Sequence, residues 1–148
     1  MSTSVVVEQA VRARLVLGTR RSAALRVTLR YRLDDPLAVW LLFPAEYALE
    51  GEPDGGAGTG PVEEVPWVFA RELLAAGLRG PAGAGDVHLS PGAEWTLVEL
   101  RAPEGTALVR FRTEDLRRFL ARTLDALPEG REFDHLDPDR ALAALLGS

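Results

Sequence analysis

Two histidines are the first residues of this 148-residue chain whose types could do chemistry. His88 follows Asp86 by two positions, so on a strand both side chains point to the same face. A metal ion would want a third and a fourth ligand, and the only other histidine is His135. His88 therefore reads as an ordinary solvated strand residue. His135 sits in the run Glu132-Phe133-Asp134-His135-Leu136-Asp137, where neighbouring acids could raise its pKa and make it a base. A polar linker between two helices has the same composition, and that is the expectation. The serines (Ser2, Ser4, Ser22, Ser90, Ser148) fall outside any nucleophile-elbow pattern. Residues 80–85 (GPAGAG) resemble a phosphate loop only superficially, because a P-loop needs a strand before it and Lys-Ser/Thr after it, and they read instead as a helix stop and turn. The chain contains no lysine. No catalytic residue, metal site or cofactor is expected, and the chain reads as a non-enzyme.

Arginine carries the more serious candidate. Residues 1–33 hold seven Arg against the single acid Glu8, a local charge of +6, while residues 34–148 hold ten Arg against 21 acids, a local charge of −11. Arg12 and Arg14 share one face of a first alternating run, as Arg26, Arg30 and Arg32 do in a second. In a suitable register these five form an exposed basic sheet surface, a candidate face for a protein partner or for single-stranded nucleic acid. Nucleic acid would need aromatics for base stacking, and the nearest one, Tyr31, falls on the opposite face. A sequence pI near 5.1 also speaks against a dedicated nucleic-acid binder. A solvated strand face or a charged subunit interface is the plainer reading. Trp40, Trp67, Phe69 and Trp95 are expected to be core or interface anchors.

The elements that must position these residues follow from periodicity. Residues 5–17 alternate, with Val5, Val7, Val11, Leu15 and Leu17 on one face, and residues 23–32 repeat the pattern, so the two runs predict an antiparallel hairpin. After the turn Asp34-Asp35-Pro36, residues 37–43 (LAVWLLF) are apolar on both faces and predict a strand covered on both sides. Residues 51–61 (GEPDGGAGTGP) predict a flexible Gly-rich loop. Residues 62–69 are mixed and read as the start of a short strand, and a helix is predicted over 68–78, stopped by Gly80-Pro81. Strands are predicted over 86–90, 95–102 and 106–112. Thr113 is the expected N-cap of a helix ended by Pro128, and Asp137-Pro138 opens a last short helix. The fold class is α+β, with antiparallel strands, one central helix and two C-terminal helices.

The length suits one domain over 1–148, able to bury roughly 70% of its unfolded-chain surface. The chain has no cysteine, which excludes a disulfide framework and a thiolate metal site. Lys, Ile and Asn are also absent while Arg, Ala and Gly abound, as codon bias in a GC-rich genome would produce. No secretory signal is visible, and the longest apolar run falls far short of the ~20 residues of a membrane span. A cytoplasmic protein without membrane insertion is expected.

Several pieces together resemble the SsgA-like family of actinobacterial sporulation and cell division proteins. They are Leu29-Arg30-Tyr31 with Asp35-Pro36 and Ala38-Val39, then the central Trp67-Val68-Phe69-Ala70-Arg71-Glu72-Leu73-Leu74 with Gly77-Leu78. Gly83 to Val87 with Pro91, Ala102-Pro103-Glu104-Gly105, and Phe119-Leu120 with Thr123 complete the set. The resemblance implies a homotrimeric α+β fold similar to the whirly and mitochondrial guide-RNA-binding proteins. It implies a non-enzymatic role at division septa, either recruiting the tubulin-like FtsZ or serving septal peptidoglycan maturation. The implied partners are itself, FtsZ or another SsgA-like protein. It brings no catalytic residues. The Gly-rich loop before Trp67 is longer than is usual in the family, which leaves the branch open.

Overall fold

The computed structural model describes residues 5–45 and 64–131. The Gly-rich segment 51–61, His135 and the helix expected after Asp137 lie outside the described residues. Alternation sets the first hairpin as expected: β1 (Val5–Gly18) pairs antiparallel with β2 (Arg21–Arg32). β3 (Ala38–Pro44) and β4 (Glu64–Ala70) extend it on one side. After α1 (Arg71–Arg79) come β5 (Ala82–Ala84), β6 (Val87–Ser90), β7 (Trp95–Ala102) and β8 (Gly105–Arg112), followed by α2 (Thr113–Ala126). The sheet order is β4-β3-β2-β1-β8-β7-β6-β5, and every pairing is antiparallel. The sheet curls enough for β3–β4 and β7–β8 to line one groove together.

Parity decides which side chains are buried, because successive strand residues face opposite ways. Val7, Val11 and Ala13 of β1, Leu25, Val27, Leu29 and Tyr31 of β2, and Val109 and Phe111 of β8 all point to the core face. Both helices pack there: Leu73, Leu74 and Leu78 from α1, and Leu116 and Phe119 from α2. No helix among the described residues covers the opposite face. Leu17, expected on the apolar side, lies past the end of the core and is 53% exposed.

Three expectations need correction. Residues 64–70 form a complete edge strand, and the helix begins at Arg71 rather than at residue 68. Here cross-strand pairing with β3 from Ala38↔Ala70 to Pro44↔Glu64 overrides the local apolar spacing. Residues 82–84 are not merely a turn. They form the short edge strand β5, which pairs with β6 through a turn where Gly85 takes φ 61°. Such positive φ costs glycine least. Thr113, finally, begins α2 but makes no capping bond. Its hydroxyl donates to the Gly92 carbonyl at 2.8 Å and lies 2.8 Å from the fully buried Thr96 hydroxyl, so it joins the helix start to β7.

Arg71 joins the two helices. It is 4% exposed, and its Nη1 donates to the carbonyls of Thr123 (3.0 Å) and Leu127 (2.8 Å). α2 has no basic residue in its own last turn, so a cation from α1 meets the negative end of its dipole. The guanidinium also lies 5.0 Å from the Tyr31 ring centroid, while the Tyr31 hydroxyl donates to the Pro36 carbonyl at 2.9 Å.

Two substitutions check this packing. An added Cβ at Gly77 would lie 2.6 Å from Leu89 Cβ, which is fixed to the β6 backbone and cannot rotate away. Gly77→Ala is therefore expected to destabilise by about 1–2 kcal/mol, despite the better helix propensity of alanine. Arg71→Met keeps the side-chain length but leaves those carbonyls without their charged donor, and is expected to cost about 2–4 kcal/mol. Urea unfolding measures both.

Candidate functional surface

The helix-free face of the sheet gathers the arginines. Register places Arg12 directly opposite Arg26 and Arg14 directly opposite Arg110. Arg30 sits opposite both Glu8 on β1 and Trp40 on β3. Trp40 in turn faces Val68, and Leu42 faces Pro66, on the edge strand β4. Tyr31 is on the core side, as expected, but Trp40 and Trp95 are on the arginine side. The sequence reading did not place Trp40 there because LAVWLLF is apolar at every position and gives no parity of its own, nor Trp95, whose face is set by the pairing Trp95↔Arg112.

Charge on this face is unevenly neutralised. Arg30 Nε donates to Glu8 Oε2 at 2.6 Å. Arg32 forks onto Asp34 with bonds of 2.9 and 2.8 Å. The hydrogen bond to Asp34 holds the Arg32 guanidinium above its ordinary value. Arg112 reaches Glu94 at 3.6 Å, and Glu99 is bound by Arg101 at 2.8 Å. Arg12, Arg14, Arg26 and Arg110 have no carboxylate within ion-pair distance among the described residues. Arg14 donates to the Ser22 hydroxyl at 3.1 Å, and Arg110 Nε is buried without a hydrogen-bond partner.

The aromatic anchors divide between the two faces. Phe69 is in the core and Trp67 packs against it half-buried. Trp40 and Trp95 are half-buried on the arginine side. Two guanidiniums already lie over the Trp95 ring, those of Arg110 at 4.8 Å and Arg112 at 5.0 Å from the centroid. Arg32 lies 5.8 Å from the centroid of Trp40. Next to Trp40, Val68 is 44% exposed.

The enclosed interior has no room for a small molecule, although an open groove of about 330 Å³ runs along the end of the core face between Phe43, Trp67, Leu100 and Val109. The void among Leu29, Leu41, Phe69, Phe111 and Phe119 holds about 10 Å³, against the ~300 Å³ or more of ordinary ligand pockets. His88 does not stand free in solvent as its sequence context suggested. Its ring packs over Gly83, where an added Cβ would fall 2.1 Å from Cδ2, and its Nδ1 is buried without a partner. No group of three or more potential metal ligands occurs among the described residues, and no described helix is long and apolar enough to cross a membrane.

Comparison with known proteins settles the lineage. The family model described as "Streptomyces sporulation and cell division protein, SsgA" matches residues 25–132. The chain belongs to the SsgA family. It is 42% identical to the sporulation-specific cell division protein SsgB of Salinispora tropica, over 97% of this chain and 94% of that one. It is 38% identical to SsgB of Streptomyces coelicolor, over 99% and 98%. The crystal structure of the SsgA-like sporulation-specific cell division protein from Thermobifida fusca superposes with a TM-score of 0.73. It is 32% identical and covers 99% of this chain and 100% of that one.

Within the SsgA fold, the segment that carried the resemblance is scaffold. Phe69, Leu73, Leu74 and Leu78 sit in the core, and Arg71 ties the helices. Arg12 and Arg14 lie on β1, before the matched region, while Arg26, Arg30, Arg32 and Arg110 lie within it. Sequence reasoning did not group Arg110 and Arg112 with the other arginines. Their alternation with Val109 and Phe111 was visible, but the β1–β8 pairing that brings them together was not. The Arg30–Glu8 pair is partly solvated, with side chains 28% and 45% exposed. Arg30→Ala is therefore expected to change unfolding stability by no more than about 1 kcal/mol, since water screens such pairs. Thermal denaturation beside Arg71→Met makes the contrast.

Proposed function

We propose that this chain is a non-enzymatic adaptor of sporulation-specific cell division. In this reading it works as a homotrimer in the cytoplasm at division septa, on a whirly-like fold. Its task is to position the septum machinery by recruiting FtsZ, alone or with another SsgA-like protein, or to serve septal peptidoglycan maturation. The observation that carries the reading is the similarity to SsgB over nearly the full length of both chains. The distribution of surface supports it. A broad, mixed basic and apolar sheet face suits recognition of a macromolecule.

Co-sedimentation with polymerised FtsZ tests recruitment. Enrichment of this protein in the polymer pellet is expected, and its absence across a range of salt concentrations would sink direct recruitment. Light scattering on the purified protein reads the assembly: a trimeric mass is expected, and a monomeric mass at every concentration would remove the trimer from the reading.

A further inference from the structure

The cross-strand pairs Arg12↔Arg26 and Arg14↔Arg110 put like charges directly opposite each other. Such pairs are destabilising, because facing side chains on neighbouring strands lie only about 5 Å apart. Arg12 and Arg14 are also two positions apart on one strand, so the four guanidiniums form one patch at the centre of the sheet. Elsewhere on this face Glu8 is engaged by Arg30, Asp34 by Arg32 and Glu99 by Arg101, while Glu64 stands apart at the start of the edge strand β4. The patch thus concentrates repulsion that the chain's own described carboxylates do not relieve. The buried, unbonded Nε of Arg110 is a further donor without an acceptor.

We infer that this patch is the docking site for an acidic, carboxylate-rich segment of a protein partner, one that also carries apolar side chains. This rests on the adaptor reading and names the surface and the chemistry by which it would work. The apolar requirement comes from the neighbouring strands. Half-buried Trp40 and the exposed Pro66 and Val68, with Leu42 buried beneath them, form an uncharged strip beside the arginines. A segment lying across the face would meet cations over β1, β2 and β8 and hydrocarbon over β3 and β4. Small side chains, Ala10 and Ala24, flank the Arg12–Arg26 pair on either side and leave a shallow groove there.

The same features favour a peptide over single-stranded nucleic acid. A polynucleotide needs a basic track along its backbone and open aromatic faces for its bases. Here the basic patch is short, since Arg30 and Arg32, which would prolong it, are held by Glu8 and Asp34. The Trp95 ring is already covered by Arg110 and Arg112. A compact patch of four cations matches a few carboxylates.

Fluorescence anisotropy on the full chain at low salt tests this. The probes are a labelled peptide of about twelve residues rich in Glu with two Leu, its Gln-for-Glu counterpart, and an oligothymidylate of equal charge. The acidic peptide should bind with an affinity that falls as salt rises, and the neutral one should not bind. Arg12→Gln/Arg26→Gln and Arg14→Gln/Arg110→Gln should each weaken the acidic peptide at least about tenfold. Arg117→Gln/Arg118→Gln, on α2, should leave it within about twofold. Arg26→Glu guards against misfolding: it turns a like pair into an opposite pair, so it should abolish peptide binding while raising Tm by about 2 °C. Equal binding of the neutral peptide, tighter binding of oligothymidylate, no binding of the acidic peptide, or unchanged affinity in both glutamine pairs would overturn the proposal. Because no FtsZ is present, these outcomes are separate from the sedimentation result, and FtsZ pelleting that persists after such a failure would place the adaptor surface elsewhere.

Discussion

The placement of both helices depends on one buried guanidinium. Arg71 starts α1, yet its side chain bonds the carbonyls at the far end of α2 and lies against the ring of Tyr31. Its backbone N–H donates to the Leu37 carbonyl at 2.8 Å, so the same residue is also tied to the entrance of β3. A cation is expensive to bury unless its donors are satisfied. That cost makes the contact specific. If either helix slides along the sheet, Arg71 loses acceptors that the surrounding hydrocarbon cannot replace. The leucines and phenylalanines of the core supply non-directional cohesion, and Arg71 supplies the register.

A second consequence is the one-sided use of the sheet. Both described helices lie on the core face, where alternate residues of β1, β2, β3, β7 and β8 are apolar. The intervening residues are then released from packing. They carry the arginines, Trp40 and Trp95, and the alternation that builds the core therefore also distributes the working surface. Thr96 and Thr113 mark where the two regimes meet. Two hydroxyls are tolerated in the interior because each has a partner, and their bond fixes the turn from β8 into α2 against β7.

The hairpin of β1 and β2 was legible because its alternation is strict and its two runs adjoin. The same holds for β7, β8 and the start of α2, where turn residues separate the runs. The α+β class followed from that order. β4 and β5 were only partly legible. Their residues are Pro- or Gly-containing and short, and they become strands because a neighbour, β3 or β6, offers an edge. The candidate surface was half legible in the same sense. The five N-terminal arginines could be placed on faces by parity alone. Arg110, Trp40 and Trp95 joined them only through long-range pairings, which one strand's periodicity does not encode. The SsgA resemblance identified the family largely from core and turn residues, with Arg30 and Val68 its contributions to the exposed face.

The sheet order has a consequence for synthesis on the ribosome. β1 is the first strand made, and one of its edges is taken at once by β2. The other edge waits for β8, which is the last described strand to emerge. A β1–β2 hairpin that forms before β8 is made has one open backbone edge and leaves Val7, Val11, Leu25 and Leu29 bare on one side. The crowded arginines at Arg12, Arg14 and Arg26 lie along that same hairpin. Their mutual repulsion discourages two nascent hairpins from joining edge to edge. A charge pattern that strains the finished sheet thus acts as a gatekeeper while the sheet is still incomplete.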